Sequence, residues 1–201
     1  MVIEKTGASL VIDPGAYTMP LVDLENVVAI VITHEHADHV TEEQLHRIFE
    51  RSPDARIFGA ASVAAAIPEF TLEAVRSGDT VEVGPFELTF SGGTHAVIHE
   101  SIPVIDNLAV LVDSSLYYAG DSYSLPGVAV NTLAVPIGAP WLKIGDVMDY
   151  VLAVAPRRAI PVHDAVLSQI GKELAYGRID AVTKRGGGEF FVLEPGESLE
   201  L

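Results

Sequence analysis

Cysteine is absent from all 201 residues, which removes disulfides, thiolate zinc sites, iron–sulfur clusters and cysteine nucleophiles from consideration. Cations are scarce as well: 12 Lys and Arg stand against 28 Asp and Glu, a formal net charge of −16. Such a field repels phosphate backbones and anionic lipid surfaces unless a bound cation reverses it locally. The only tight basic groups, Arg157-Arg158 and Lys184-Arg185, are too small for a duplex footprint. No apolar run approaches the ~20 residues a membrane helix needs. The N-terminus reaches Asp13-Pro14-Gly15 without the cationic region and apolar core of a secretory signal. There is no internal repeat, low-complexity tract or long linker. The expectation is a soluble, cytoplasmic protein with neither nucleic acid nor membrane as partner.

What is present is an ample supply of core-forming residues. Hydrophobic residues make up 49% and charged residues 20%, a globular balance, and 201 residues fit a single domain over the whole chain. Residues 8 to 12 and 27 to 32 read as strands, the second a continuous β-branched run of the kind found in buried parallel sheets. Thr41-Glu42-Glu43-Gln44 has the form of a capping box, with Val40 and Leu45 placed as a hydrophobic staple, and predicts a helix from Glu42 to Glu50. Further strands are expected at Arg56 to Phe58, on both sides of Gly84-Pro85 within 78 to 91, at Leu108 to Asp113, Leu116 to Ala119, Thr132 to Ile137 and Ala159 to Val162. Helices are expected at Ala60 to Ile67, Trp141 to Ala155 and Ala165 to Tyr176, the last ending at Gly177. Glu189 to Leu193 and Ser198 to Leu201 read as closing strands. Strands interleaved with single helices predict two sheets covered by helices.

One hexapeptide stands apart: His34-Glu35-His36-Ala37-Asp38-His39, directly after the strand at 27 to 32. Three of the chain's 7 histidines fall within these six positions. Neutral imidazole suits zinc, iron, nickel or copper, and a carboxylate adds a hard oxygen ligand, so the mixture fits a divalent site of one or two ions. A site of this kind needs further His and Asp residues at other strand ends. His95 follows Ser91-Gly92-Gly93-Thr94, Asp121 follows Tyr117-Tyr118-Ala119-Gly120, and His163 follows Ala159-Ile160-Pro161-Val162. His99, four residues beyond His95, is the alternative third histidine, or a group at the pocket rim. His46 falls on the solvent side of its helix.

The order HxHxDH, single His, Gly-Asp and late His resembles the ligand order of the metallo-β-lactamase superfamily, and the resemblance spans nearly the whole chain. Ile12-Asp13-Pro14-Gly15, the segment Thr33 to His39, His95 to His99, Gly120-Asp121, Ala139-Pro140-Trp141 and Val162-His163-Asp164 are similar to the bacterial branch around ascorbate-6-phosphate lactonase. The resemblance implies a four-layer αββα sandwich of two mixed sheets with helices outside. It implies that His34, His36 and His95 hold one ion, that Asp38, His39 and His163 hold a second, and that Asp121 bridges the two. A carboxylate can bridge because it has two oxygens, whereas each ring nitrogen of an imidazole serves one ion.

The implied cofactors are two divalent ions, Zn2+ first and Mn2+ or Fe2+ next. The implied activity is hydrolysis of a small ester, lactone or related molecule by a hydroxide at the dinuclear site, with Asp38 and Asp121 as catalytic groups. The alternatives are a phosphodiesterase acting on a cyclic nucleotide or RNA end, and a non-catalytic metal-binding or sensor protein. The expected partner is a small-molecule substrate, with homo-oligomerisation left open. Asp13 is a candidate to orient a ligand histidine or to begin the Pro-Gly turn, Asp164 to cap the following helix or orient a ligand, and Trp141 to wall the site or pack beneath its helix. Ser122 and Tyr123 are candidate pocket residues. Two departures stand out: the chain begins late, before a turn that relatives precede with a longer strand pair, and Gly138 stands where a histidine is expected in close relatives.

Overall fold

The structure, a computed structural model, describes residues 1–200. The first sheet is built from β1 (Val2–Lys5), β2 (Ala8–Ile12), β3 (Val27–Ile32), β4 (Arg56–Gly59) and β5 (Leu72–Ala74), in that order across the sheet. Helix α1 (Glu42–Arg51) connects β3 to β4, and a 3-10 turn over Ala61–Ala65 leads towards β5. β1 and β2 are antiparallel, and the remaining pairs of this sheet are parallel.

The second sheet contains β6 (Thr80–Val83), β7 (Phe86–Thr94), β8 (Asp106–Val112), β9 (Leu116–Tyr118), β10 (Thr132–Pro136), β11 (Arg158–Val162) and β12 (Glu189–Phe190), crossed in the order β12-β11-β10-β9-β8-β7-β6. The first four are joined as an antiparallel meander, and β9 to β12 run parallel. Parallel pairing requires crossovers, which helices α2 (Ile144–Val154) and α3 (Gln169–Arg185) supply.

Strand alternation decides which layer each side chain enters. On β8, Leu108, Val110 and Val112 join a core shared with β2, β3 and β4, while Ala109 and Leu111 face the other way. That second face packs with Leu133 and Val135 of β10 against Val147 and Val151 of α2 and Ile179 and Val182 of α3. α1 buries Leu45 and Ile48 on the first sheet. The layers are therefore helix, sheet, sheet, helices, the sandwich expected from the ligand order.

Several elements differ from expectation. β1 and β5 were not foreseen, because Val2–Lys5 and Leu72–Ala74 are short edge strands whose pairing, not their composition, defines them. The stretch 61–65 is a 3-10 turn instead of an α-helix. α2 begins at Ile144, leaving Trp141 in the preceding turn. α3 neither starts at Ala165 nor stops at Gly177: Ser168 caps it, accepting from the Gly171 N–H, and it continues to Arg185. Burial of Ile179 and Val182 on the helical face offsets the ~1 kcal/mol cost of the interior glycine. Asp164 does not cap this helix; it accepts hydrogen bonds from Tyr176 Oη and Lys172 Nζ. β12 ends at Phe190, and 198–200 form no strand; Leu201 lies outside the described residues.

Candidate metal centre

Five strands run out at one place. β2 ends before Asp13, β3 before His34, β7 before His95, β9 two residues before Asp121's glycine neighbour, and β11 before His163. β7 runs in the same direction as β9, β10 and β11, so the donors of the second sheet all lie at carboxyl ends of codirectional strands. This is where open α/β sheets present functional groups.

The histidine loop is seated on the Asp13-Pro14-Gly15 turn. Ala16 N–H donates to Ala37 O at 2.8 Å, and a Cβ on Gly15 would lie 1.8 Å from the Asp38 carbonyl oxygen, so only glycine fits beneath the loop. Asp13, at φ 51°, accepts from Thr33 N at 2.8 Å, from Thr33 Oγ1 at 2.7 Å and from His39 Nδ1 at 2.7 Å. Both expected readings meet in Asp13: its side chain holds the His39 ring, and its carbonyl oxygen accepts from the Gly15 N–H at 3.0 Å in the Pro-Gly turn. Thr33, buried next to His34, was not singled out in the sequence; its signal is its place at the end of β3 directly before the ligands.

Asp121 is positioned by its backbone. Asn107, wholly buried on β8, accepts from the Asp121 N–H at 2.9 Å and donates to Ala119 O at 2.8 Å. Gly120, at φ 60°, passes so close to Asn107 Oδ1 that a Cβ would lie 2.4 Å away. Asn107 carried no sequence signal, since nothing local pairs it with a residue fourteen positions on.

His95 Nδ1–H donates to Ala96 O at 2.5 Å, and His163 Nδ1–H to Gly138 O at 2.6 Å. Those bonds hold the Nδ1 side of each ring and turn each Nε2 towards the centre, the orientation a metal ligand requires. His34, His36 and His95 offer ligand atoms that all lie within 4.8 Å of one another; so do His34, His39 and Asp121, and so do Asp38, His39 and His163. Asp121 Oδ2 is 3.5 Å from His95 Nε2 and 3.5 Å from His163 Nε2, equidistant from a donor of the first group and a donor of the last. His95 Nε2 and Asp121 Oδ1 are buried without a hydrogen-bond partner. Orphaned buried donors of this kind, among imidazole nitrogens only 3.1 and 3.2 Å apart, fit divalent ions.

Trp141 reaches the same carboxylate: its Nε1–H donates to Asp121 Oδ2 at 2.7 Å, while its ring stands edge-on to His95 and Tyr123. His99 is not brought into the cluster. It is exposed and pairs with Ser101 through Nδ1 at 2.8 Å. His46 is exposed and lies 3.3 Å from Glu69. Ser122 is turned away, donating to Ala119 O. Gly138 is covered by Leu167, whose Cγ would lie 2.6 Å from a Cβ there, so an apolar side chain occupies the place of a side chain at 138.

Electrostatics divide the donors. Burial, reinforced by the neighbouring His39 charge, lowers His34 to about 3, and burial with His95 lowers His36. These two are neutral and ready to coordinate. Burial also opposes charge on His39, yet Asp13 and Asp121 outweigh it and raise His39 to about 10. Burial is likewise outweighed at His163, which the Asp38 hydrogen bond raises. Asp38 is lowered to about 2, chiefly by that same bond, and Asp121 is held well below the usual carboxylate range by His39 and His95 despite burial.

The family model described as Beta-lactamase superfamily domain matches residues 1–163, a span that contains every donor named above. The chain belongs to the metallo-β-lactamase superfamily. Among similar proteins, Protein Rv0786c of Mycobacterium tuberculosis is 37% identical over 179 residues, covering 87% of this chain and 84% of that protein. A UPF0173 metal-dependent hydrolase of Metallosphaera sedula is 25% identical over 224 residues, covering 98% and 93%. The crystal structure of the metallo-beta-lactamase fold protein YhfI from Bacillus subtilis superposes with a TM-score of 0.73 at 16% identity, covering 98% of this chain and 88% of that one.

Proposed function

We propose that this metallo-β-lactamase superfamily protein is a metal-dependent hydrolase that cleaves a small, uncharged ester or lactone at a dinuclear centre. Its class follows from its family. The dinuclear reading rests on one observation above others, the Asp121 oxygen placed equally far from a nitrogen of the His34/His36/His95 group and a nitrogen of the Asp38/His39/His163 group. Zn2+ suits a donor set with five imidazoles and two carboxylates, and Mn2+ or Fe2+ remains compatible. Two such ions supply an activated water and positive charge for a developing oxyanion.

The protein's own groups do the rest. Asp121 is shared between the donor groups, and Trp141 fixes its orientation. Asp38 has 26% of its side chain exposed, against 4% for Asp121, so it is the carboxylate that an attacking water can reach and the one placed to accept its proton. The choice of a neutral substrate over a phosphodiester is supported by the cations. Within 13–26, 33–41, 95–105, 121–131, 137–143 and 163–172, the segments around the donors, the cationic side chains are Lys143 and Lys172, paired with Asp146 at 3.3 Å and Asp164 at 3.0 Å.

The test is a panel of lactones, thioesters, β-lactams and bis-p-nitrophenyl phosphate assayed with metal-loaded protein. Hydrolysis of carbonyl substrates that vanishes on chelation, and falls at least ~1000-fold in Asp38→Ala and Asp121→Ala, is the expected result. Full activity in either metal-replete variant contradicts the mechanism. Metal binding without turnover across the panel favours a sensor.

A further inference from the structure

Large apolar side chains that meet solvent are concentrated in the chain segments that carry the donors or are bonded to them. Tyr17, Val97, Leu125, Val166 and Ile170 are each 53% to 71% exposed, outside the two cores of buried apolar side chains. They come from four separate segments, and each segment is tied to a donor. Tyr17 follows Ala16, whose N–H is bonded to Ala37 between His36 and Asp38. Val97 follows Ala96, whose N–H donates to the Asp121 backbone oxygen at 2.8 Å. Leu125 lies four residues after Asp121, and Val166 and Ile170 flank Leu167, the side chain lying on Gly138, whose carbonyl fixes His163. Apolar surface gathered from four segments that are each tied to a donor is a recognition feature, whereas single exposed apolar residues are ordinary.

Charge narrows the ligand. The two lysines of these segments are neutralised by Asp146 and Asp164, and Glu35 and Glu100 add carboxylates to a chain that already carries −16. A phosphorylated or carboxylated substrate would meet no unpaired lysine or arginine in these segments. A neutral chain has nothing to be repelled by.

Resting on the hydrolase reading above, we propose that the substrate is an ester or lactone carrying an uncharged aliphatic chain, which lies across the rim formed by Tyr17, Val97, Leu125, Val166 and Ile170 while its carbonyl is presented to the donor cluster. The reaction is ordinary hydrolysis: water's hydroxide bonds to the acyl carbon as the acyl C–O bond breaks, and its other proton goes to the departing oxygen, giving an acid and a free alcohol from an ester or a single hydroxy acid from a lactone.

The experiment uses the metal-loaded full chain and p-nitrophenyl acetate, butyrate, hexanoate and octanoate, with p-nitrophenyl hemisuccinate as the charged control. kcat/KM should rise about two- to fourfold per CH2 until the rim is spanned, and the hemisuccinate should fall below butyrate. Tyr17→Ser and Ile170→Ser should each lower the octanoate-to-acetate ratio, a comparison internal to each variant and independent of how much protein is correctly folded. A flat or falling series with acetate turned over overturns the proposal and leaves the hydrolase reading intact. If no ester is turned over, the hydrolase reading fails, and the fluorescence of Trp141, the chain's one tryptophan, decides the proposal with uncleavable alkyl methyl ketones. Affinity that climbs with ketone length supports the apolar rim, and equal or absent binding overturns it. Concentration-dependent dimerisation abolished by Ile170→Ser, with no chain-length dependence, assigns the surface to a second copy and likewise overturns it.

Discussion

Asp121 carries more obligations than any other side chain here. Its Oδ2 faces His95 and His163, accepts from the Trp141 indole, and leaves Oδ1 beside His39 at 3.2 Å. A carboxylate with that many neighbours rotates unless something holds it, and the indole N–H is the neutral group that does so. Trp141→Phe keeps the ring and removes the donor. It should weaken metal binding about 10- to 100-fold, the usual cost of losing an orienting partner behind a ligand. Chelator competition measures this, with the melting temperature of the metal-free protein as the control for folding; unchanged affinity contradicts the assignment. At this scale the clustering of these His and Asp side chains was legible because each belongs to a segment at or just beyond the end of a strand. Thr33, Asn107 and Leu167 were not, because each acts on a partner distant in sequence: Thr33 on Asp13, Asn107 on Asp121, Leu167 on Gly138. Trp141 was visible as a candidate, but its partner was not.

Elements explain why the loops stay where the chemistry needs them. Gly15, in the turn beneath the histidine loop, and Gly177, inside α3, are glycines with opposite meanings. A Cβ on Gly15 meets the Asp38 carbonyl, so Gly15→Ala must displace the histidine loop and should destabilise by about 2–3 kcal/mol or more. Gly177 sits exposed within α3, with nothing within 4 Å of an added Cβ, so Gly177→Ala should stabilise by about 0.5–1 kcal/mol. Denaturant unfolding of the two variants separates them, and the same sign for both would refute this reading. Reading Gly177 as a helix end treated a glycine as a stop where the buried positions Ala175, Ile179 and Val182 carry the helix past it. The central strands were legible because their apolar runs are long. β1, β5 and the brief β12 depend on pairing partners that local composition does not reveal.

On the scale of the whole molecule, two sheets pressed face to face bring five strand ends to one rim, and the charge of −16 surrounds a site that favours cations. The centre is itself uneven. His34 and His36 are lowered and neutral, whereas His39, raised to about 10, keeps its proton near neutrality in the metal-free protein, and His163 is shifted in the same direction. An ion entering the Asp38/His39/His163 group must displace the His39 proton, so its affinity rises with pH towards 10 and falls below neutrality. Ions entering the His34/His36/His95 group displace little from His34 and His36. Calorimetric titration of the metal-free chain with Zn2+, in buffers of different ionisation enthalpy at pH 6 and pH 8, therefore tests the dinuclear centre most directly. Two ions per chain, the weaker releasing protons and tightening at pH 8, is the predicted result. One ion per chain, or two that bind without proton release at either pH, would contradict it.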